Sequence, residues 1–164
     1  MHKAYLLLGT NLGNKIAYLQ QAYQLIQTLC GKVYSQSSIY ETAAWGLTNQ
    51  PSFYNQVLVI ETQLLPEILM QTLLLIEEKI GRIRTIKFGP RTIDIDILLI
   101  DDLINNTPLL ILPHSALSQR KFALMPLAEV APQLYHPIEK KTISQLLVAC
   151  LDTLDVQKIT MPTN

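Results

Sequence analysis

Phe88-Gly89-Pro90-Arg91-Thr92-Ile93-Asp94-Ile95-Asp96-Ile97-Leu98-Leu99-Ile100 is the stretch from which the rest of the chain is read. Past the Gly89-Pro90 turn signal the sequence predicts a β-strand. Ile93, Ile95, Ile97 and Leu99 alternate onto one face, and Asp94, Asp96, Leu98 and Ile100 onto the other. Residues two apart on a strand stand roughly 6.5–7 Å apart, so the two carboxylates are neighbours. Leu98 and Ile100 bury the same face further along, which puts the aspartates at the mouth of a core. Two like charges there repel and resist desolvation unless a cation lies between them. Oxygen-only ligation suits magnesium, which takes one or two carboxylates together with substrate phosphates. An edge strand with a wet acidic end has the same spacing, and spacing alone leaves both readings open.

The neighbouring charges favour the first reading. Of the four arginines in the chain, Arg82, Arg84 and Arg91 fall within ten residues, with Lys87 among them, although net charge is zero and only 16% of residues are charged. Arginine presents a planar fork of donors suited to phosphate oxygens and keeps its charge at neutral pH. The segment from Gly81 to Pro90 has no clean period and reads as a loop. A basic loop feeding a paired-aspartate strand points to polyphosphate and magnesium.

At 164 residues, 49% of them apolar, the chain is expected to form one domain over 1–164, with its core at about 4–150 and a loose tail after 155. A mean hydropathy of +0.22 reflects leucine and isoleucine richness. No apolar run approaches the ~20 residues of a membrane span, and the start has no signal-peptide cleavage pattern. Cys30 and Cys150 lie far apart in apolar helical contexts, as expected of buried free thiols. Zero net charge argues against a general nucleic-acid binder. A cytoplasmic protein, with neither nucleic acid nor membrane as partner, is the expectation.

Along the chain, Tyr5–Leu8 reads as a central strand ended by Gly9-Thr10-Asn11-Leu12-Gly13-Asn14. A helix follows to about Cys30, with Gly31 as its stop; Val33–Thr42 reads as a second strand and Phe53–Thr62 as a third. Pro66 opens a second helix that runs to Ile80 and stops at Gly81. With the aspartate strand, the order is β-α-β-β-α-β, the split ferredoxin-like pattern. Two further helices are predicted at Gln119–Val130 and Thr142–Leu151. The glycines after the first strand lack the G-x-G-x-x-G spacing of a dinucleotide fingerprint, and neither a Walker A run nor protein-kinase signatures occur.

These residues together resemble the 6-hydroxymethyl-7,8-dihydropterin pyrophosphokinase family of folate biosynthesis. The resemblance rests first on Gly89-Pro90-Arg91-Thr92-Ile93-Asp94-Ile95-Asp96-Ile97-Leu98. Family-like segments stand in the right order around it: Gly9–Gly13, Ser38–Thr42, Phe53-Tyr54-Asn55, Glu77, Gly81–Arg84, Pro113-His114 and Arg120–Leu127. Departures are Phe88 where the family often has tryptophan, Ala43-Ala44 in place of a Pro-rich pair, and a slightly short basic loop.

The resemblance implies an α+β fold, a ferredoxin-like core with added C-terminal helices in a three-layer αβα sandwich. It also implies a monomeric, magnesium-dependent enzyme that transfers pyrophosphate from ATP to the pterin hydroxymethyl group and releases AMP. Asp94 and Asp96 would hold two magnesium ions. Arg82 and Arg91 would stabilise the transferred charge, and Glu77, Arg84, His114 and Arg120 would join them around ATP. Thr42, Ala43, Trp45 and Asn55 would serve the pterin edge, with Phe53 and Phe122 stacked on its faces. The residue pattern also admits another two-metal enzyme, such as a phosphodiesterase or nucleotidyltransferase drawing a third ligand from Asp101 or Asp102. A ferredoxin-like binding module is the non-enzymatic reading.

Overall fold

The protein is described by a computed structural model over residues 1–43, 49–82 and 92–160. Its centre is β1 (His2–Thr10), whose Ala4 to Leu8 are all buried. On one side β1 pairs antiparallel with β4 (Phe53–Thr62), and on the other with β5 (Asp94–Ile100). The far edge of β4 is shared by β2 (Lys32–Gln36) and β3 (Tyr40–Thr42), which pair with its second and first halves respectively. The second strand expected over Val33–Thr42 is thus broken in the middle. There Ser37 donates its backbone N–H to the Val57 carbonyl and accepts the Val57 N–H on its side-chain hydroxyl, both at 2.9 Å.

Both faces of this sheet are covered, giving the αβα layering expected. Helices α1 (Lys15–Leu29) and α2 (Pro66–Ile80) lie on one face. Their buried stripes, Leu19, Ala22 and Ile26 with Leu69, Leu73 and Ile76, recur at helical spacing and meet Ala4, Leu6, Leu8, Leu58 and Ile60. Asn14 caps α1 by accepting the Ala17 N–H, and Pro66 opens α2. On the other face α3 (Lys121–Val130) and α4 (Ile143–Ala149) bury Phe122, Leu124, Leu127, Ile143 and Leu146 against Tyr5, Leu7, Val57 and Val59. Pro126 sits inside α3 without ending it. Two small ladders, β6 (Asn105–Asn106) with β7 (Ile111–Leu112) and β8 (Tyr135–His136) with β9 (Lys141–Thr142), lie outside the main sheet.

Three sequence expectations are corrected. The segment after 155, expected as a loose tail, contributes β10 (Val156–Lys158), which pairs with β3 and buries Val156. The strict alternation of β5 fails after Ile97. The register with β1 slips between Tyr5 and Leu6, so Leu98 and Leu99 both join the α3/α4-side core while Ile100 turns to the α1/α2 side. A bulge does this by adding one residue to one strand; here the freed Leu98 carbonyl accepts the His114 N–H at 2.9 Å. Cys30 is buried as expected, but Cys150 is only half-buried.

Candidate active site

One end of the sheet gathers most of the residues singled out from the sequence. Strand pairing aligns Asp94 on β5 with Gly9 on β1, Gly9 with Asn55 on β4, and Asn55 with Tyr40 on β3. Paired residues share a face, and Tyr40 packs in the α3/α4-side core, so this row faces the α3/α4 layer. Asp96 pairs with Leu7 in the next row on that face. Both aspartates are half-buried, at the mouth of the core as their spacing predicts.

Gly9 keeps the middle of the row bare. A Cβ there would stand 2.9 Å from Asn55 Nδ2 and 3.8 Å from the Phe53 ring. The Asn55 amide is buried, accepting from the Thr42 hydroxyl at 3.1 Å and donating to the Leu8 carbonyl at 3.4 Å. Those two bonds use half its capacity, leaving one N–H donor and one oxygen lone pair side by side. Thr42 is buried and Ala43 exposed at the end of β3, and Phe53, the register partner of Thr42, is half-buried. Phe122, at the start of α3, borders the same layer with the Arg120 guanidinium 5.7 Å from its ring centre.

The opposite flank is built by the end of α2. Gly81 adopts φ 103°, a left-handed conformation that glycine enters without penalty. It turns the chain so that Arg82 N–H reaches back to the Glu77 carbonyl at 3.0 Å, closing a Schellman cap. The Arg82 side chain then extends to the aspartate strand, where Nη1 donates to Asp94 Oδ1 at 2.6 Å and to Glu77 Oε1 at 3.0 Å. Glu77 is only 2% exposed, and its Oε2 accepts the Ile95 N–H at 2.8 Å on the open edge of β5. Burial pulls the Arg82 pKa down, but Asp94, Glu77 and Asp96 outweigh it and hold the guanidinium above its ordinary value.

His114 follows β7, its backbone fixed on Leu98 and its Nδ1 accepting the Ala116 N–H at 3.2 Å. Burial and Arg120 push its pKa below the ordinary histidine value, against an opposing pull from Asp94. The imidazole thus lies within electrostatic reach of both Arg120 and Asp94. Trp45, Arg84 and Arg91 lie outside the described residues. Sequence reading missed Gly9 as a site residue; its signal was an invitation for close approach directly before a polar turn.

The donor set fits magnesium: two carboxylates on one strand face, oxygen only, with room in the coordination sphere for phosphate oxygens. Among the described residues no group of three or more His, Cys, Asp or Glu side chains gathers as a metal cage. Asp101 is excluded as a third ligand. It lies seven residues along β5 from Asp94, about 20 Å away, and its carboxylate is taken by His2 Nδ1 and Lys3 N–H at 2.8 and 2.9 Å.

Comparison with known proteins gives the family and the fold. Residues 5–132 match the family model for 7,8-dihydro-6-hydroxymethylpterin-pyrophosphokinase. The chain is 40% identical over 145 residues to the 2-amino-4-hydroxy-6-hydroxymethyldihydropteridine pyrophosphokinase of Aquifex aeolicus, covering 88% of this chain and 90% of that one. The enzyme of the same name from Methylorubrum extorquens is 39% identical over 97% of this chain and 99% of its own. In the fol1 folic acid synthesis protein of Schizosaccharomyces pombe, 39% identity extends over only 20% of the relative's length. Among solved structures, wild-type Plasmodium falciparum HPPK-DHPS superposes with a TM-score of 0.72 at 18% identity. That match covers 90% of this chain and 44% of the larger one, so the fold corresponds to less than half of it.

Proposed function

The chain belongs to the 7,8-dihydro-6-hydroxymethylpterin-pyrophosphokinase family, and we propose that the row Asp94–Gly9–Asn55 is where it works. Its reaction transfers a pyrophosphoryl group from ATP to the hydroxymethyl group of 6-hydroxymethyl-7,8-dihydropterin in folate biosynthesis, leaving the pterin diphosphate and AMP. The row itself carries the site assignment. Two strand spacings separate Asp94 from Asn55, roughly 10 Å, and Gly9 leaves the floor between them open to a flat ring.

Asn55 reads the pyrimidine-like edge of the pterin with its remaining donor and acceptor, held in orientation by Thr42 and Leu8. Phe53 and Phe122 stack on the ring faces, and the Ala43 backbone and Trp45 complete the edge. The hydroxymethyl end then points along the row toward Asp94 and Asp96, which would hold magnesium, two ions in this reading. When bound there, magnesium neutralises polyphosphate charge and makes the attacking hydroxyl more acidic. The chain's own part is positioning and electrostatics, as usual in phosphoryl transfer. Arg82, fixed by Glu77, and Arg91 meet the charge that develops on the transferred group and on departing AMP. Arg84, His114 and Arg120 hold the remaining phosphates.

The test is pterin-dependent formation of AMP from ATP and magnesium. The Asp94→Ala and Asp96→Ala variants should keep the fold and lose activity by about 10³-fold, as expected where charge stabilisation dominates. ATP turnover indifferent to the pterin, or near-wild-type rates in both variants, overturns the assignment.

A further inference from the structure

Two buried donors beside Asp94 have no partner. Arg82 spends Nη1 on Asp94 and Glu77, yet its Nε is buried and makes no hydrogen bond. The Thr92 hydroxyl, two residues before Asp94, is likewise buried and unbonded. Thr92 lies in a bend just before β5, joined to Asp94 through Ile93, which is fully buried in the α1/α2-side core. Buried polar atoms without partners are uncommon in folded proteins, and each one left so costs about 1–3 kcal/mol.

What the two atoms lack in common is an acceptor. A cation could use the hydroxyl lone pairs, but it would leave Nε unmet and lie against a guanidinium. A water could serve either atom, but it would not explain why an arginine already paired twice keeps a third donor turned inward. An anionic oxygen satisfies both. Building on the pyrophosphokinase reading of the site, we propose that the Thr92 hydroxyl is a further substrate-binding residue, donating to a non-bridging phosphate oxygen of ATP alongside Arg82 Nε. Thr92 then orients the polyphosphate against the aspartates from the strand side, as Arg82 does from the helix side. The hydroxyl is left unsatisfied in the ligand-free protein, so it is kept for binding and works against stability.

That last consequence separates a binding role from a structural one. Thr92→Val keeps the shape and removes the hydroxyl; Thr92→Ser keeps the hydroxyl. The measurements are thermal melting of the ligand-free protein, calorimetric binding of α,β-methylene-ATP with magnesium, and KM for the pterin. Thr92→Val should melt no lower than wild type, bind the ATP analogue about tenfold more weakly, as for a lost bond to a charged partner, and leave pterin KM unchanged. Thr92→Ser should restore analogue affinity. Unchanged analogue affinity in Thr92→Val overturns the proposal. So does a lower melting temperature with both substrates weakened, which would make the hydroxyl structural. Wild-type AMP formation tests the pyrophosphokinase reading separately, because analogue binding is scored without turnover.

Discussion

At Gly9 one methyl group separates an open floor from a blocked one. Its backbone is not in the left-handed region, so alanine is accommodated by the chain, but the new Cβ would press on Asn55 Nδ2 at 2.9 Å. The amide end must swing away and lose its bonds to Thr42 and Leu8. Gly9→Ala is therefore expected to fold with a loss of about 1–2 kcal/mol and to raise pterin KM about tenfold, with ATP KM unchanged. Steady-state kinetics with each substrate varied in turn would check it; equal rises in both KM values would contradict the role given to Asn55. Glu77, expected around ATP, poses the complementary case, because its carboxylate also holds Arg82 and the Ile95 N–H in place. Glu77→Gln keeps an oxygen for the Ile95 N–H but removes the charge beside Arg82, so kcat should fall about tenfold with little change in pterin KM. Glu77→Ala leaves the Ile95 N–H and one Arg82 donor unmet and should also cost about 2–4 kcal/mol in urea denaturation. From the sequence, Glu77 reads equally well as the start of a solvated Glu77-Glu78-Lys79 helix end. Only the docking of α2 against the outer edge of β5 reveals that it is buried, and that is a tertiary fact.

Element boundaries show where local pattern suffices and where it fails. Strands β1, β4 and β5 and helices α1 and α2 were legible because each carries a long apolar run or a helical stripe that must be buried whatever it packs against. The bulge at Leu98 was not, since Leu98-Leu99-Ile100 is apolar on both faces and alternation cannot reveal a slip there. The break between β2 and β3 was equally hidden, because Ser37 enters the ladder through its side chain. Strand β10 is three residues long with one buried position, too short to show a period. Its anchor is Glu129 on α3, which accepts from the Tyr40 hydroxyl and from Ser38 and pairs with Lys158 at 3.6 Å. Burial raises the Glu129 pKa, but these donors more than offset it and hold the carboxyl below its ordinary value. A folded-state pKa that is lowered gives stability that is present above the unfolded value and lost as pH falls through the folded one. Stability should therefore decline as pH drops below about 4.5, and Glu129→Gln should show a shallower decline by urea denaturation at stepped pH. An identical acid limb in the variant would mean that Glu129 is not held ionised by this cluster.

Across the whole molecule the proposed site divides the two substrates between the edges of the sheet. In that proposal the β5 edge, closed by Glu77 and Arg82, would take the nucleotide, and the β3 edge, extended by β10, would support Thr42 and Asn55 against the pterin. Damage to one edge should therefore register on one substrate. A chain ending at Asp155 tests this at the edge that the sequence left as a tail. It removes the buried Val156, the β10–β3 ladder, the Ile159 N–H bond to the Ile39 carbonyl and the Lys158 partner of Glu129. It leaves Asp152 in place, where its carboxylate accepts the Lys121 N–H at the start of α3. Losing a buried valine and a short ladder should cost about 2–3 kcal/mol, which a domain of this size can absorb. The strand that loosens is β3, so Thr42 should hold Asn55 less firmly and pterin KM should rise several-fold. ATP KM should stay near wild type, because neither Arg82 nor the aspartates touch that edge. Glu77→Gln gives the mirror image, kcat lost with pterin KM kept, and measuring the two variants side by side removes general destabilisation as an explanation. If the truncated chain instead weakens both substrates equally, the two edges act as one, and the division of the site along the Asp94–Gly9–Asn55 row is wrong.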